Sequence, residues 1–128
     1  MIRITHERNL RAKAESRGFT VYADQDGKSG GDDSAMSPYE LFLASLGLCV
    51  ISYFVYFCRK RNLDPHGVEI TVDQDLPDSP GKFRKMIVSV TFPPGFPEKH
   101  KNAARKFCEV CSVGKAIKIG CDVIYEYR

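Results

Sequence analysis

The sequence predicts an α+β fold, with separate runs of strands and helices rather than a strict βαβ alternation. Three observations point there. Period-two alternation occupies the first two dozen residues and returns between residues 68 and 92. Between them lies a long apolar stretch that opens on a helix-capping sequence. A basic amphipathic stretch follows near residue 100. Strands favour the period of two and helices the period of 3.6, so the pattern assigns each segment.

At the start, Leu10, Ala12 and Ala14 interleave with Arg11, Lys13 and Glu15, and after Arg17-Gly18 the residues Phe19, Val21 and Ala23 interleave with Thr20, Tyr22 and Asp24. Alternation about a glycine turn predicts a hairpin. Residues 25–36 form a polar Gly/Asp stretch without periodicity, hence a loop. Ser37-Pro38-Tyr39-Glu40 then places Ser at N-cap, Pro at N1 and Glu at N3, which is a capping box. Met36 and Leu41 occupy the staple positions on either side. The helix should run to about Arg61 and stop near Asn62, where Arg59, Lys60 and Arg61 complement its negative end.

From Leu41 to Cys58 this helix carries no charge. That length reaches the lower limit for crossing a bilayer. Ser45, Gly47, Ser52 and two tyrosines inside it, with amphipathic strands on both sides, favour a helix buried on every side within the fold. A chain this small has little surface to cover such a helix, so a second subunit is expected.

Val68, Ile70, Val72 and Leu76 alternate with Glu69, Thr71, Asp73 and Asp75. Residues 77–81 read as a turn, and Met86, Val88, Val90 and Phe92 alternate with Lys85, Ile87, Ser89 and Thr91. This predicts an antiparallel hairpin with one wet face. Residues 97–109 predict a basic amphipathic helix with Ala103, Ala104, Phe107 and Cys108 inside. A short helix follows Cys111, and Cys121 to Tyr127 predicts a last strand.

With 128 residues the chain is expected to form one domain, residues 1–128. Its 43% hydrophobic and 27% charged residues are those of a globular protein. A net charge of +3 gives no clustered footprint for nucleic acid. Five cysteines is an odd number, and the opening Met-Ile-Arg-Ile-Thr has no signal-peptide apolar segment, so a cytoplasmic protein with reduced thiols is expected.

Among those thiols, Cys49 lies in mid-helix two residues after Gly47. Glycine there costs about 1 kcal/mol against alanine, which implies close approach of another element or a ligand. Cys49 reads either as a small buried hydrophobe or as a reactive thiol with a cation nearby. Cys111 stands where the short helix begins, a position that favours thiolate, with Lys115 one turn later. Cys108 and Cys111 form a C-x-x-C that suggests a redox pair or half a zinc site, although a second ligand pair is missing. Cys58, Cys121 and Cys108 read as core cysteines. Glu40 is explained by the capping box, with a general-base role as the functional alternative.

Two stretches together resemble the OsmC/Ohr family of bacterial thiol-dependent peroxide reductases. Ser37-Pro38-Tyr39-Glu40-Leu41 through Cys49 is similar to the family's opening of its central helix, and Cys111-Ser112-Val113-Gly114-Lys115 is similar to its second cysteine motif. The resemblance implies an OsmC-like fold: antiparallel sheets wrapped around long central helices in an intertwined homodimer. It implies thiol-dependent reduction of organic hydroperoxides, as a peroxiredoxin-like defence against oxidative stress. Cys49 would be the peroxidatic thiolate, Cys111 its disulfide partner, and a dithiol the reductant, with no metal or organic cofactor. The family's activating arginine would come from the N-terminal segment, where Arg8 and Arg11 are the nearest candidates. Tyr39 stands where the hydroperoxide-reducing branches carry a glutamate, and Glu40 follows one position later. The site expected on this basis is Cys49, Cys111, Glu40 and Arg11, without membrane or nucleic-acid partners. The rival reading is a non-enzymatic dimeric binding protein for a small hydrophobic or sulfur-containing ligand.

Overall fold

A computed structural model describes residues 1–75 and 85–128. The expected turn at residues 77–81 and Leu76 lie outside these. The chain divides into two compact units, Met1–Ala44 and Ser45–Arg128.

The N-terminal unit holds a three-stranded antiparallel sheet of β1 (Arg3–Arg8), β2 (Arg11–Ser16) and β3 (Phe19–Ala23) in sequential order. The expected hairpin is β2–β3, with Ser16 opposite Phe19. Its two-residue turn, Arg17 and Gly18, has positive φ at both positions, 52° and 86°. Such turns match the right-handed twist of paired strands, which is why glycine serves here. The sequence reading missed β1, whose alternation is carried only by Ile2, Ile4 and His6. Phe19 and Val21 remain exposed on this sheet.

The following loop contains a short 3-10 helix, Gly27–Ser29, capped by the Asp26 side chain. Asp24 organises the loop from a buried position. Its carboxylate accepts from the Ser34 hydroxyl at 2.6 Å, the Ser34 amide at 3.1 Å and the Gln25 amide at 2.8 Å. The Ser34 hydroxyl bond, aided by these amides, lowers the Asp24 pKa against the opposing effect of burial. At Gly31 a Cβ would sit 1.9 Å from the Gln25 carbonyl oxygen, so any side chain would break the loop's close return.

Helix α1 spans Pro38–Lys60. Its capping box forms as read: the Ser37 amide donates to Glu40 Oε2 at 2.7 Å, and the Glu40 amide donates to Ser37 Oγ at 3.2 Å. Its C-terminus closes on Asn62, whose φ is 53°. The Leu63 amide returns to the Cys58 carbonyl and the Asn62 amide to that of Arg59. This is a Schellman motif with asparagine in glycine's usual place.

The C-terminal unit pairs β4 (Glu69–Asp75) with β5 (Lys85–Thr91), antiparallel, with Ile70 opposite Val90 and Val72 opposite Val88. Alternate residues on both strands are half-buried and exposed, the predicted single wet face. Helices α2 (Glu98–Cys108) and α3 (Ser112–Ile119) complete the unit. The core gathers Leu46, Val50, Phe54, Phe57 and Cys58 of α1 with Phe96, Ala104, Cys108 and Cys111. Rings of Phe54, Phe92 and Phe96 stand 5.1–5.8 Å apart between centroids.

Within the single chain α1 is buried along one stripe, and Leu48 is 66% exposed, which is the face a second subunit was expected to cover. Three expectations need correction. Ala103 points outward while Ala104 is buried, a rotation of about 100° per residue. Cys121 is exposed rather than a core residue. The run Cys121–Tyr127 forms no strand, and Tyr127 is 91% exposed. Alternation makes a strand only where a neighbouring edge supplies the ladder, and this run pairs with none among the described residues.

The α1 segment is also long and apolar enough to cross a membrane by length and composition, a property shared by core helices of soluble proteins.

Candidate active site

Both candidate cysteines lie in the C-terminal unit, Cys49 on α1 and Cys111 at the start of α3. Cys49 lies on α1 with Leu46 and Val50 as buried neighbours on the same stripe. Four residues after Cys49, one turn on, comes Tyr53, which helical spacing puts on the same face. Cys111 is the N-cap of α3, where its side chain takes the role usually given to Ser or Asp: Sγ accepts from the Gly114 amide at 3.3 Å. The Tyr53 hydroxyl and Ser112 Oγ are 3.1 Å apart and tie the start of α3 to α1.

These contacts hold the Cys49 and Cys111 thiols near enough for Cys49 to act on the titration of Cys111. Cys111 is 2% exposed, whereas Cys49 is only half-buried. Burial pushes the Cys111 thiol up. The Gly114 amide opposes that push, the bond to Cys49 and its charge add to it, and Lys118 opposes it again. One sequence expectation is thereby corrected: its place at a helix start does not favour the Cys111 thiolate, because desolvation outweighs the Gly114 bond and the Lys118 charge that oppose it.

Gly47 finds its reason here. A Cβ at that position would meet Val72 Cγ2 at 3.1 Å and Ile70 Cγ2 at 3.8 Å, so β4 lies directly against the helix. Of the two explanations the glycine allowed, close approach of an element holds. At Gly114 a Cβ would lie 3.0 Å from Cys111 Sγ and 3.5 Å from Leu46 Cδ1, so the glycine makes room for the sulfur. Gly114 and the Tyr53–Ser112 pair went unread in the sequence. The signals were present as the i,i+4 spacing of Cys49 to Tyr53 and a glycine three residues after a capping cysteine.

The other two expected site residues lie in the N-terminal unit, each with partners there. Glu40 closes the capping box of α1. Arg11 donates through Nε to Glu7 at 2.9 Å and through Nη1 to Ser34 Oγ at 2.8 Å, with its guanidinium 4.2 Å from the centroid of the Tyr22 ring.

Residues 31–126 match the model of the OsmC-like protein family. Among solved structures, an osmotic stress induced and detoxification response protein of Psychrobacter arcticus 273-4 is similar with a TM-score of 0.78 and 21% identity, covering 90% of this chain and 85% of that one. An organic hydroperoxide resistance protein OsmC from Legionella pneumophila gives 0.64 and 21%, over 92% and 88%. An OsmC-like protein from Mycoplasma pneumoniae gives 0.71 and 14%, over 92% and 86%. At these identities the structures speak to fold alone, and no curated protein matches. With antiparallel sheets, one long apolar helix and a family match over most of its length, the chain belongs to the OsmC-like family.

Proposed function

We propose that this protein reduces organic hydroperoxides with Cys49 as the attacking sulfur and Cys111 as the resolving one. The observation that supports the reading is the nearness of those two thiols, contributed by helices far apart in sequence and close enough for Cys49 to raise Cys111. Their environments divide the labour. Cys49 is the more accessible, as the group that meets the substrate must be. Cys111 is buried and holds its proton, as a second-step thiol can.

In the first step the Cys49 sulfur attacks one peroxide oxygen. The O–O bond breaks, the alcohol leaves, and Cys49 becomes a sulfenic acid. In the second, the Cys111 sulfur displaces that hydroxyl, which leaves as water with the Cys111 proton, and a Cys49–Cys111 disulfide forms. A dithiol then exchanges with the disulfide, is itself oxidised, and restores both thiols. Leu46 and Val50, buried on the same stripe, give Cys49 apolar neighbours that suit an alkyl peroxide. Arg11 enters this reading as the guanidinium the family brings to the first thiol, and Glu40 as the carboxylate at the foot of its helix. The assembly is a homodimer located in the cytoplasm.

Substitution tests the roles. Cys49→Ser should abolish consumption of cumene hydroperoxide. Cys111→Ser should permit one turnover and leave a sulfenic acid that dimedone traps. Normal peroxide consumption by Cys49→Ser would sink the assignment. Slow oxidation without preference for Cys49 in the native protein would favour the rival ligand-binding role.

A further inference from the structure

A third sulfur stands next to this pair. Cys108 ends α2 and Cys111 caps α3, and the Cys111 amide donates to the Cys108 carbonyl at 3.2 Å. That i→i+3 bond closes a β-turn, which keeps its terminal Cα atoms within about 7 Å. A disulfide spans Cα atoms about 4.4–6.8 Å apart. The turn therefore keeps the Cys108 and Cys111 backbones at a separation that overlaps the disulfide range. Both belong to the same buried cluster, with Cys108 only 5% exposed.

Electrostatics agree with the placement. Burial, then the neighbouring charges of Cys111, Cys58 and Glu109, push the Cys108 thiol up to about 11. Cys111 thus has a sulfur neighbour in two directions, Cys49 on α1 and Cys108 on α2.

We propose that Cys108 is a third redox thiol, which takes over the disulfide from Cys49. The Cys108 sulfur attacks Cys111 in the Cys49–Cys111 disulfide. The bond between Cys49 and Cys111 breaks as the Cys108–Cys111 bond forms, and the proton of Cys108 passes to Cys49. No net oxidation occurs in this exchange, since the two oxidising equivalents came from the hydroperoxide. The outcome is a free Cys49, ready for a second peroxide, with the first oxidation stored in the buried C-x-x-C. This rests on the peroxide reading for its oxidant, and on the turn geometry for its disulfide.

Two measurements test it separately. Without reductant, the native protein should consume two equivalents of cumene hydroperoxide per chain, the second ending as a Cys49 sulfenic acid. Cys108→Ala should consume one, a twofold drop. Equal consumption by both would overturn the proposal while leaving the peroxide reading intact. In the second, Cys49→Ser is treated with diamide, which oxidises dithiols without peroxide chemistry. Peptide mapping after alkylation should find a Cys108–Cys111 link. If both cysteines are recovered alkylated, the third-thiol role is overturned whatever the peroxide assays give. If the native protein consumes no peroxide at all, the peroxide reading fails and the diamide result decides for Cys108.

Discussion

At the scale of single residues, the chemistry turns on how one environment treats several thiols. Burial raises Cys58, Cys108 and Cys111 together, so the folded chain holds these protons more tightly than the unfolded one. The sign of the consequence is fixed by linkage. Stability from these groups is complete below the unfolded thiol value and is lost as pH rises through the folded values. For Cys108 the window runs from 9.0 to about 11. Urea unfolding should therefore show the free energy falling across that interval, and Cys108→Ala should flatten the fall. A profile level from pH 9 to 11 in the native protein would contradict the burial argument. None of this could be read from spacing. The sequence located Cys111 at a helix start but not the desolvation that raises it there.

Elements were more legible than residues, for a physical reason. The capping box, the helix end at Asn62 and the β4–β5 hairpin depend on local pattern, and each formed where the pattern put it. β1 and the segment after Cys121 depend on what lies beside them, and both escaped the reading in opposite ways. The end of α1 offers a clean test. Asn62 holds a left-handed conformation that asparagine tolerates and β-branched residues resist. Asn62→Val should cost about 1–2 kcal/mol in denaturant unfolding, the penalty of that conformation for an ordinary L-residue. Asn62→Gly should cost nothing or stabilise. If valine is neutral, the Schellman geometry is not what ends the helix.

On the scale of the whole molecule, apolar surface is the unresolved account of the fold. Leu48 and Tyr56 of α1 are exposed, as are Val123, Ile124, Tyr125 and Tyr127 beyond α3. Burying apolar area gains about 25 cal/mol per Å², so faces of this kind seek cover. The sequence signalled this as a helix too apolar for so small a chain. In the dimer reading, sedimentation should give twice 14.4 kDa. Leu48→Glu, which puts a charge on that helix face, should shift the species towards monomer. A monomer in the native protein at micromolar concentration would refute the dimer.

The Gly114 amide rests on the same sulfur atom that would change oxidation level during turnover. A cap of this sort cannot stay indifferent to its own electron count, because a disulfide sulfur is a weaker acceptor than a thiol or thiolate. On the peroxide reading, the first turn of α3 would report that change. Deuterium uptake at Gly114 and Lys115 should quicken on oxidation and slow again on reduction, turning backbone breathing into a gauge of the redox state.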